Sequence, residues 1–430
     1  MQKFIARENS PWSQQNKLVD LYTAAKILNL SPAHIRRWEK KGLLLTIREK
    51  TGNRLFRLKD LESLRSGNKS TSATFQILRT DERSQYTVIE LFSGSGGMAL
   101  GFENAGLTTQ LLVEIDKDCV STLRHNRPDW NVIHNDIRDV AFTDYSGTVD
   151  IVAGGFPCQA FSYAGHSRGF EDTRGTLFFS FARCVQEVKP KLALAENVRG
   201  LLRHDSGRTL ETMIQVLEDI GYKVAYKLLR SQFLDVPQKR ERLIIIGVRQ
   251  DLDLDILFPQ EQNHIISLRE AFKNCPNSPC AQYPKRKREI LSCVPEGGYW
   301  KDLPLDLQKE YMKGSFHLSG GKTGMARRLS WDEPSLTLTC SPAQKQTERC
   351  HPSETRPLSI REYARIQSFP DEWGFLGSVA SQYKQIGNAV PVNLAYHVGK
   401  CLIDTLDNRG QEFTLETNTA GIVQQLSLPL

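Results

Sequence analysis

The sequence predicts an α/β protein with a largely parallel sheet, a smaller irregular segment and a helix-turn-helix unit at the N-terminus. Apolar, β-like runs alternate with helical stretches from Thr87 to about Val248, as in parallel α/β folds. This rhythm is lost over residues 255–350, which are rich in Pro, Gly, Lys and Arg. A glycine-rich loop and a glycine pair each follow an apolar run, at the place where such sheets bind ligands.

The composition is that of a globular protein with two or three domains. The chain has 430 residues, of which 40% are apolar and 24% charged. No apolar run reaches the roughly 18 residues that span a bilayer, and the N-terminus lacks the apolar core of a signal peptide. The nine cysteines are scattered without a C-x-x-C pair, which disfavours a disulfide scaffold and a structural zinc site. We therefore expect a cytoplasmic protein with no metal and no membrane partner.

Positive charge is concentrated at the N-terminus. Residues 1–70 carry 15 Lys and Arg against 6 Asp and Glu, a net charge of +9, whereas the whole chain carries +7. Residues 71–430 are therefore slightly acidic, at −2. The N-terminal excess favours contact with nucleic acid.

Residues 18–65 have the pattern of a helix-turn-helix unit. Ser31 and Pro32 are suited to begin its second helix, and Gly42 is suited to end it. Arg36 and Arg37 are expected on the exposed face, where they would meet DNA. The unit resembles the winged helix of MerR-like regulators. Two interpretations remain open, a module that represses its own promoter and a non-specific DNA tether.

Six apolar runs are predicted to form strands of the main sheet. They are Val88–Phe92, Gln110–Val113, Ile151–Ala153, Leu192–Ala195, Val224–Leu229 and Leu243–Val248. Residues 358–405 return to a helical pattern, and the polar residues after Asp407 are expected to be a tail.

A glycine-rich loop, Glu90–Gly97, follows the first of these strands and opens a helix. Glycines there allow a ligand to approach the backbone at an electropositive helix end. Glu114 ends the next strand about 20 residues on, where an acid can hold ribose hydroxyls, and Asp136 follows a third strand. Together they predict an adenosine pocket, although the loop alone could be a plain tight turn.

Phe156-Pro157-Cys158-Gln159 follows the glycine pair Gly154-Gly155 after a buried strand. A cysteine on such a loop is a candidate nucleophile. The alternative is a buried structural cysteine, because free Cys is among the most buried residue types.

Seven motifs in a fixed order resemble DNA (cytosine-5) methyltransferases, over about residues 86–405. The matching segments are Leu91–Gly97, Gly155–Ser162, Gly169–Phe179, Glu196–Val198, Gln238–Arg242, Arg361–Pro370 and Gln385–Pro391. The resemblance implies a Rossmann-like catalytic domain that uses S-adenosylmethionine, and double-stranded DNA as the substrate. Within that family the chain resembles bacterial modification enzymes. This implies a partner restriction endonuclease and an enzyme that acts as a monomer.

The resemblance also assigns roles to individual residues. Cys158 is the nucleophile that adds to carbon 6 of a flipped cytosine, and Glu196 is the acid at ring nitrogen 3, kept protonated by burial. The alternative for Glu196 is an acid at the end of a strand that forms a salt bridge. Arg242 contacts the base carbonyl, Arg240 either orients the pocket or pairs with acids, and Gln159 completes the catalytic set. The implied cofactor-binding residues are Phe92, Gly94, Gly96, Gly97, Glu114, Ile115, Asp136, Ile137, Pro157, Leu177, Asn388 and Val390.

Residues 255–355 stand where the family keeps its target-recognition domain, and Thr337-Leu338 matches a family pair there. The basic run Lys285–Arg288 is expected to face DNA. The stretch Glu348–Pro357 resembles enzymes for GGNCC- or GGWCC-like sites. The full domain prediction is 1–70 (helix-turn-helix), 71–85 (linker), 86–254 (catalytic), 255–355 (recognition), 356–407 (returning helices) and 408–430 (tail).

Two other functions remain open at this point. A cytosine-5 RNA methyltransferase would use the same chemistry on a different substrate. A transcriptional regulator with a decayed enzyme half would keep only the N-terminal activity.

Overall fold

A computed structural model gives the fold of the chain. The structure describes residues 18–28, 32–41, 44, 46–48, 54–58, 61, 73–157, 177–320 and 322–409. Two compact units divide the chain. One consists of Met1–Ala73, Gln262–Ile265 and Leu415–Leu430, and the other of Thr74–Glu261 and Ile266–Thr414.

The N-terminal unit is a small sheet with two helices. Its elements are β1 (Leu18–Asp20), α1 (Leu21–Leu28), α2 (Pro32–Lys41), β2 (Ile47–Arg48) and β3 (Arg54–Arg57). Strand β3 lies in the middle and pairs antiparallel with β1 and with β2. Ile35, Phe56 and Leu61 are fully buried and form the centre of its core. These elements are those of the predicted helix-turn-helix unit with its hairpin.

A seven-stranded sheet forms the centre of the larger unit. Its strands are β4 (Thr87–Leu91), β5 (Thr108–Glu114), β6 (Val132–His134), β7 (Ile151–Gly154), β8 (Leu192–Val198), β9 (Tyr222–Arg230) and β11 (Glu241–Arg249). The order is β6-β5-β4-β7-β8-β11-β9, and β11 alone runs against the other six. Strands β4, β7 and β8 are almost completely buried, as expected for apolar runs covered on both faces.

Helices cover this sheet and fill the segments that follow it. They are α3 (Gly97–Ala105), α4 (Lys117–Asn126), α5 (Leu177–Val188), α6 (Arg208–Asp219), α7 (Leu268–Ala271), α8 (Lys285–Ser292), α9 (Leu305–Met312), α10 (Ile360–Ile366), α11 (Val379–Asn388) and α12 (Val392–Leu406). Strands β10 (Gln238–Lys239) and β12 (Ser335–Leu336) form a separate parallel pair. Among the described residues, no helix is both long and apolar enough to cross a membrane.

The chain order of the strands creates a crevice beside β4. Strand β5 lies on one side of β4 and β7 on the other, so successive connections leave in opposite directions. Open α/β sheets bind ligands at the carboxyl ends of the strands at such a point. Helix α12 packs against α3, where a side chain at Gly101 would stand 2.4 Å from Ala395. The α/β prediction is confirmed, and each of the six predicted strands lies within an observed one to within one residue.

Candidate active site

A cavity of about 930 Å³ opens at the carboxyl ends of β4, β5, β7 and β8. This volume suits a cofactor-sized ligand. It is lined by most of the predicted site residues, namely Phe92, Gly94, Gly97, Glu114, Ile115, Asp136, Ile137, Pro157, Leu177, Glu196, Arg240, Arg242, Leu338, Asn388 and Val390. The tertiary fold thus brings together residues that lie almost 300 positions apart in the chain.

The glycine-rich loop after β4 forms one wall of the cavity. Phe92 and Gly94 both have positive φ, 60° and 54°, so the chain turns sharply there. Gly97 begins α3, and a Cβ at this position would stand 2.2 Å from the carbonyl oxygen of Val390. Only glycine therefore lets the C-terminal segment close on the loop. Gly96 lies behind the wall, where a Cβ would stand 2.7 Å from Leu123.

Glu114 is held rigidly at the end of β5. Its carboxylate accepts hydrogen bonds from the backbone N–H groups of Gly94 at 2.7 Å, Ile115 at 2.9 Å and Asp116 at 2.7 Å. A carboxylate offers about four acceptor sites, so about one remains for a ligand. The same contacts fix the glycine loop relative to β5.

Asp136 and two isoleucines form the outer part of the cavity. Arg138 donates to Asp136 at 2.6 Å, and these hydrogen bonds lower the pKa of the carboxyl to about 2. Ile137 is buried, whereas Ile115 is 62% exposed. A flat apolar ligand could lie between an acid and these aliphatic side chains.

Glu196 and Arg242 form a buried ion pair at the inner end of the cavity. The distance from Arg242 Nε to Glu196 Oε1 is 2.6 Å, and each side chain is 11% exposed. Burial lowers the pKa of Arg242, and the charge of Glu196 acts in the opposite direction. The pair arises because β8 and β11 are antiparallel neighbours.

Asn197 connects this pair to the loop that leads to the predicted nucleophile. Its side-chain amide donates to the carbonyl oxygen of Phe156 at 3.1 Å. Phe156 also packs edge-on against Phe92 and Phe178. The loop is therefore anchored up to Pro157. Cys158 and Gln159 lie outside the described residues.

Arg240 has surroundings quite different from those of Arg242. It is 2% exposed, and its Nη groups donate to the backbone carbonyls of Leu338, Gly387 and Ala389 at 3.1–3.3 Å. Its Nε has no hydrogen-bond partner in the described parts of the chain. Burial, together with the charge of Arg242, lowers the pKa of Arg240 well below its usual range. Arg240 thus joins its own segment to two distant ones, at Leu338 and at Gly387 and Ala389, and forms no ion pair with an acid of the described residues.

The predicted DNA contacts Thr337 and Leu338 are engaged within the protein. The Thr337 hydroxyl donates to the carbonyl oxygen of Lys239 at 2.7 Å, and Leu338 is 2% exposed. The backbone N–H of Leu338 donates to the side chain of Gln238, which in turn donates to Gln367. These contacts fix the segment at the cavity wall.

Two side chains of the predicted basic run are used in internal ion pairs. Lys287 donates to Glu348, which is fully buried, at 2.5 Å. Arg286 bridges Glu289 and Glu310 at 2.9 and 2.6 Å. Lys287 is therefore tied to a buried acid that is distant in the chain, whereas Lys285, Arg286 and Arg288 are exposed.

Sequence analysis gave no role to several side chains that line the cavity, among them Lys384, Cys340 and Glu90. Lys384 reaches Asp116 at 2.8 Å, and the Cys340 thiol donates to Asn388 at 3.0 Å. Neither has a local signal. Glu90 does stand at a recognisable place in the sequence, at the end of β4 immediately before the glycine loop. That position by itself did not predict a role for its side chain.

The N-terminal unit places Arg36 on an exposed surface of α2. The side chain of Arg37 is outside the described part of the structure. The ion pair of Arg54 with Glu39, at 2.7 Å, ties β3 to α2.

The chain matches the family model for C-5 cytosine-specific DNA methylases over residues 86–404 and that for MerR helix-turn-helix regulatory proteins over residues 21–73. It is 56% identical to the type II methyltransferase M.Eco47II of Escherichia coli over 398 residues, which cover 90% of this chain and 95% of that protein. The identity is 52% with type II methyltransferase M.PspPI of Psychrobacter sp. (strain TA137), over 89% and 95% of the two chains.

Among solved structures, the Dnmt2 methyltransferase of S. pombe superposes with a TM-score of 0.56 at 16% identity, over 75% of this chain and all of that one. This likeness shows the shared fold. The family model covers the cavity and the sheet that builds it, and the relatives extend over almost the whole chain. The chain therefore belongs to the C-5 cytosine-specific DNA methylase family and is a DNA (cytosine-5) methyltransferase that carries an N-terminal unit of the MerR type.

Proposed function

We propose that this enzyme transfers a methyl group from S-adenosylmethionine to carbon 5 of a cytosine within a short, specific sequence of double-stranded DNA. The observation that carries the proposal is the Glu196–Arg242 pair at 2.6 Å, in the same cavity as the glycine-rich loop after β4. One part of the cavity can then hold the cofactor while the other receives the base.

The outer part of the cavity suits the cofactor. Glu114 retains an acceptor for ribose hydroxyls, and Asp136 stands beside Ile137 for the adenine edge. Phe92, Asn388 and Val390 close this part from two sides. When bound, the cofactor supplies a methyl group on a positively charged sulfur, which is a strong electrophile.

The chemistry of the protein residues is nucleophilic catalysis. We assign Cys158 to attack carbon 6 of cytosine as a thiolate, which places electron density on carbon 5. Once the base replaces its contact with Arg242, Glu196 takes up a proton from the solvent and holds it at ring nitrogen 3, and Arg242 donates to the base carbonyl. In the described structure these two side chains bind each other. The base would therefore have to replace that contact, so that Arg242 turns to the carbonyl and Glu196 to the ring.

The target cytosine must leave the DNA stack to reach this part of the cavity, because carbon 6 is inaccessible within a duplex. Base flipping costs a few kcal/mol. Residues 163–176, with three glycines, are proposed to close behind the flipped base. They lie outside the described residues.

Replacement of Cys158 by serine tests the covalent step. We expect Cys158→Ser to abolish methyl transfer in a tritiated-methyl assay and to leave cofactor affinity nearly unchanged, because a hydroxyl does not add to carbon 6 at neutral pH. DNA containing 5-fluorocytosine should form a gel-stable adduct with the wild-type enzyme and none with the variant. Turnover by the serine variant would refute the assignment.

We further propose that the enzyme protects DNA against a partner restriction endonuclease, at a GGNCC- or GGWCC-like site. The similarity to type II methyltransferases supports the proposed pairing with a restriction endonuclease. Bisulfite sequencing of DNA from cells that express the chain would identify the methylated base and its site together. Methylation of RNA with none in DNA would contradict the proposal.

Residues 255–355 are proposed to read the DNA sequence. These residues contain an apolar cluster of their own, which includes Leu291, Trp300 and Met312. All the proposed catalytic residues lie outside this range, so exchange of the segment with that of a relative should transfer site specificity and keep the chemistry. An active chimera that still methylates the original site would refute the assignment.

The N-terminal unit is proposed to bind DNA independently of catalysis. The exposed Arg36, the +9 charge of residues 1–70 and the MerR match support this. If the unit represses its own promoter, deletion of residues 1–70 will raise expression and leave methylation kinetics unchanged. If it is only a tether, the deletion will slow methylation at higher salt and leave expression unchanged.

A further inference from the structure

Glu90 is a buried acid that the proposed chemistry does not use. It ends β4, is 2% exposed and lines the cavity. The backbone N–H of Ala99 donates to its carboxyl group, and its Oε2 atom has no hydrogen-bond partner in the described part of the chain. A buried polar atom without a partner is costly, so one that belongs to a residue of the cavity lining calls for an explanation.

Within the part of the chain that the structure describes, no cation of the surrounding elements compensates Glu90. Strand β5 contributes the acid Glu114, and β7 has no titratable side chain. Helix α3 carries Glu103, which is ion-paired with Arg127, and Lys384 of α11 is ion-paired with an aspartate. Burial, and then the charge of Glu114, raise the pKa of Glu90 well above its usual range.

The other acids of the cavity are already engaged. Asp116 pairs with Lys384, Asp136 with Arg138, Glu196 with Arg242, and Glu114 accepts from three backbone amides. S-adenosylmethionine carries two cationic groups, a sulfonium and an ammonium. Glu90 is therefore the acid of the described lining that is best placed to balance an incoming positive charge.

We propose that Glu90 is a further cofactor-binding residue, which is a neutral carboxylic acid in the free enzyme and releases its proton to the solvent when the cationic part of the cofactor binds. The inference rests on the proposed use of S-adenosylmethionine in this cavity. The carboxylate that forms balances the incoming charge, and the O–H bond that breaks delivers its proton to the buffer. An opposite charge within about 4–6 Å lowers the pKa of a carboxyl by about 1–3 units, which is sufficient for this exchange.

Proton release makes cofactor affinity depend on pH. While Glu90 is protonated in the free enzyme, each unit of rising pH should strengthen binding by up to about tenfold. Above the pKa of Glu90 in the free enzyme, affinity should no longer change.

Calorimetry with S-adenosylmethionine in buffers of different ionisation enthalpy measures the released proton directly, from mildly acidic to neutral pH and without DNA. We expect close to one proton per cofactor at the acidic end. Glu90→Gln should release none and should bind the cofactor about 10- to 100-fold more weakly at neutral pH, because an amide cannot carry the balancing charge. Glu90→Asp, which keeps a titratable carboxyl, should retain proton release.

Three controls make the result specific. Glu114→Gln should keep proton release but move it to lower pH, because one repulsive charge is removed. Methylthioadenosine, which has the adenosine part without the cationic groups, should release no proton. Difference infrared spectra should show a protonated carboxyl that disappears on cofactor binding in the wild type and is absent from Glu90→Gln.

Two outcomes would overturn the inference. One is tight cofactor binding by the wild type with no proton release over this pH range. The other is the same proton release in folded Glu90→Gln, with folding checked by its thermal transition. A wild-type enzyme that binds no S-adenosylmethionine would instead overturn the proposed function on which the inference rests.

Discussion

The ends of β4 and β8 place the same residue type in the same cavity with opposite surroundings. Glu90 is 2% exposed and Glu196 is 8% exposed, so burial differs little. Glu196 faces the guanidinium of Arg242 at 2.6 Å, whereas Glu90 faces another acid, Glu114. The comparison teaches that burial sets the cost of a charge, and that the neighbouring group decides whether the charge is kept.

This difference corresponds to the two ligands that the cavity is proposed to hold. A neutral cytosine approaches the β8 end, where a complete ion pair can exchange partners with the base. A positively charged cofactor approaches the β4 end, where an acid without a cation can receive it. The following predictions separate the two ends, in order of decreasing effect.

Glu196→Gln should have the largest effect. Single-turnover methylation should fall by about 100- to 10,000-fold, because the amide cannot deliver a proton to ring nitrogen 3. Cofactor affinity and DNA affinity should change little, in contrast to Glu90→Gln, which acts on the cofactor. A decrease of less than about tenfold would exclude Glu196 as the acid.

Arg242→Met removes the cation beside Glu196, so the acid at the end of β8 is left without a cationic partner, as Glu90 is at the end of β4 among the described residues. The free energy of unfolding in urea should fall by about 3–5 kcal/mol, because a buried carboxylate loses its partner. The double variant with Glu196→Gln should recover most of this loss. If the single variant lost under about 1 kcal/mol, the pair would behave like a surface ion pair and the comparison would fail.

Arg240→Met should cost less, about 2–4 kcal/mol of unfolding free energy. Three backbone carbonyls lose a donor, but a buried cation that forms no ion pair with the described residues is removed at the same time. Arg286→Met is a matched control at an exposed ion pair and should stay within about 0.5 kcal/mol. Equal losses in the two variants would contradict the connecting role of Arg240.

Glu90→Gln should have the smallest effect, a change in how the unfolding free energy of the cofactor-free enzyme depends on pH. The pKa of Glu90 is raised in the folded state, so the folded protein binds the proton more tightly than the unfolded chain. The stability that Glu90 contributes through this proton is fully present below the usual glutamate pKa. It is lost as the pH rises towards the pKa of Glu90 in the folded state. The free energy of unfolding of the wild type minus that of Glu90→Gln should therefore fall by up to about 1.4 kcal/mol for each unit of rising pH. A difference that is flat with pH would show that Glu90 is ionised throughout.

Sequence analysis succeeded where a local pattern has one physical meaning. The six apolar runs predicted strands correctly, because continuous apolar residues flanked by glycine loops suit a strand buried on both faces. The glycine motif after β4 was equally informative, since Gly97 leaves no room for a side chain. Seven motifs in order identified the family, which the family model confirms.

Local pattern was misleading where charge was concerned. Lys285–Arg288 suggested a surface for DNA, but Lys287 pairs with the fully buried Glu348, 61 positions away. Arg240 and Arg242 stand two positions apart in one motif, yet one binds carbonyls and the other an acid. Nothing in a charged run states which of its members will find a partner.

The sequence by itself determined six strands of the main sheet, the family and the residue types available for catalysis, because hydrophobic periodicity and glycine sterics act over a few residues. Only the tertiary structure decided the state of each charged group. The β4 and β8 ends come into one cavity through the strand order β4-β7-β8-β11, which gives Glu196 a cation, whereas the Oε2 atom of Glu90 has no partner among the described residues. Electrostatic energy depends on distance and burial, and both are set by packing between segments that are far apart in the chain.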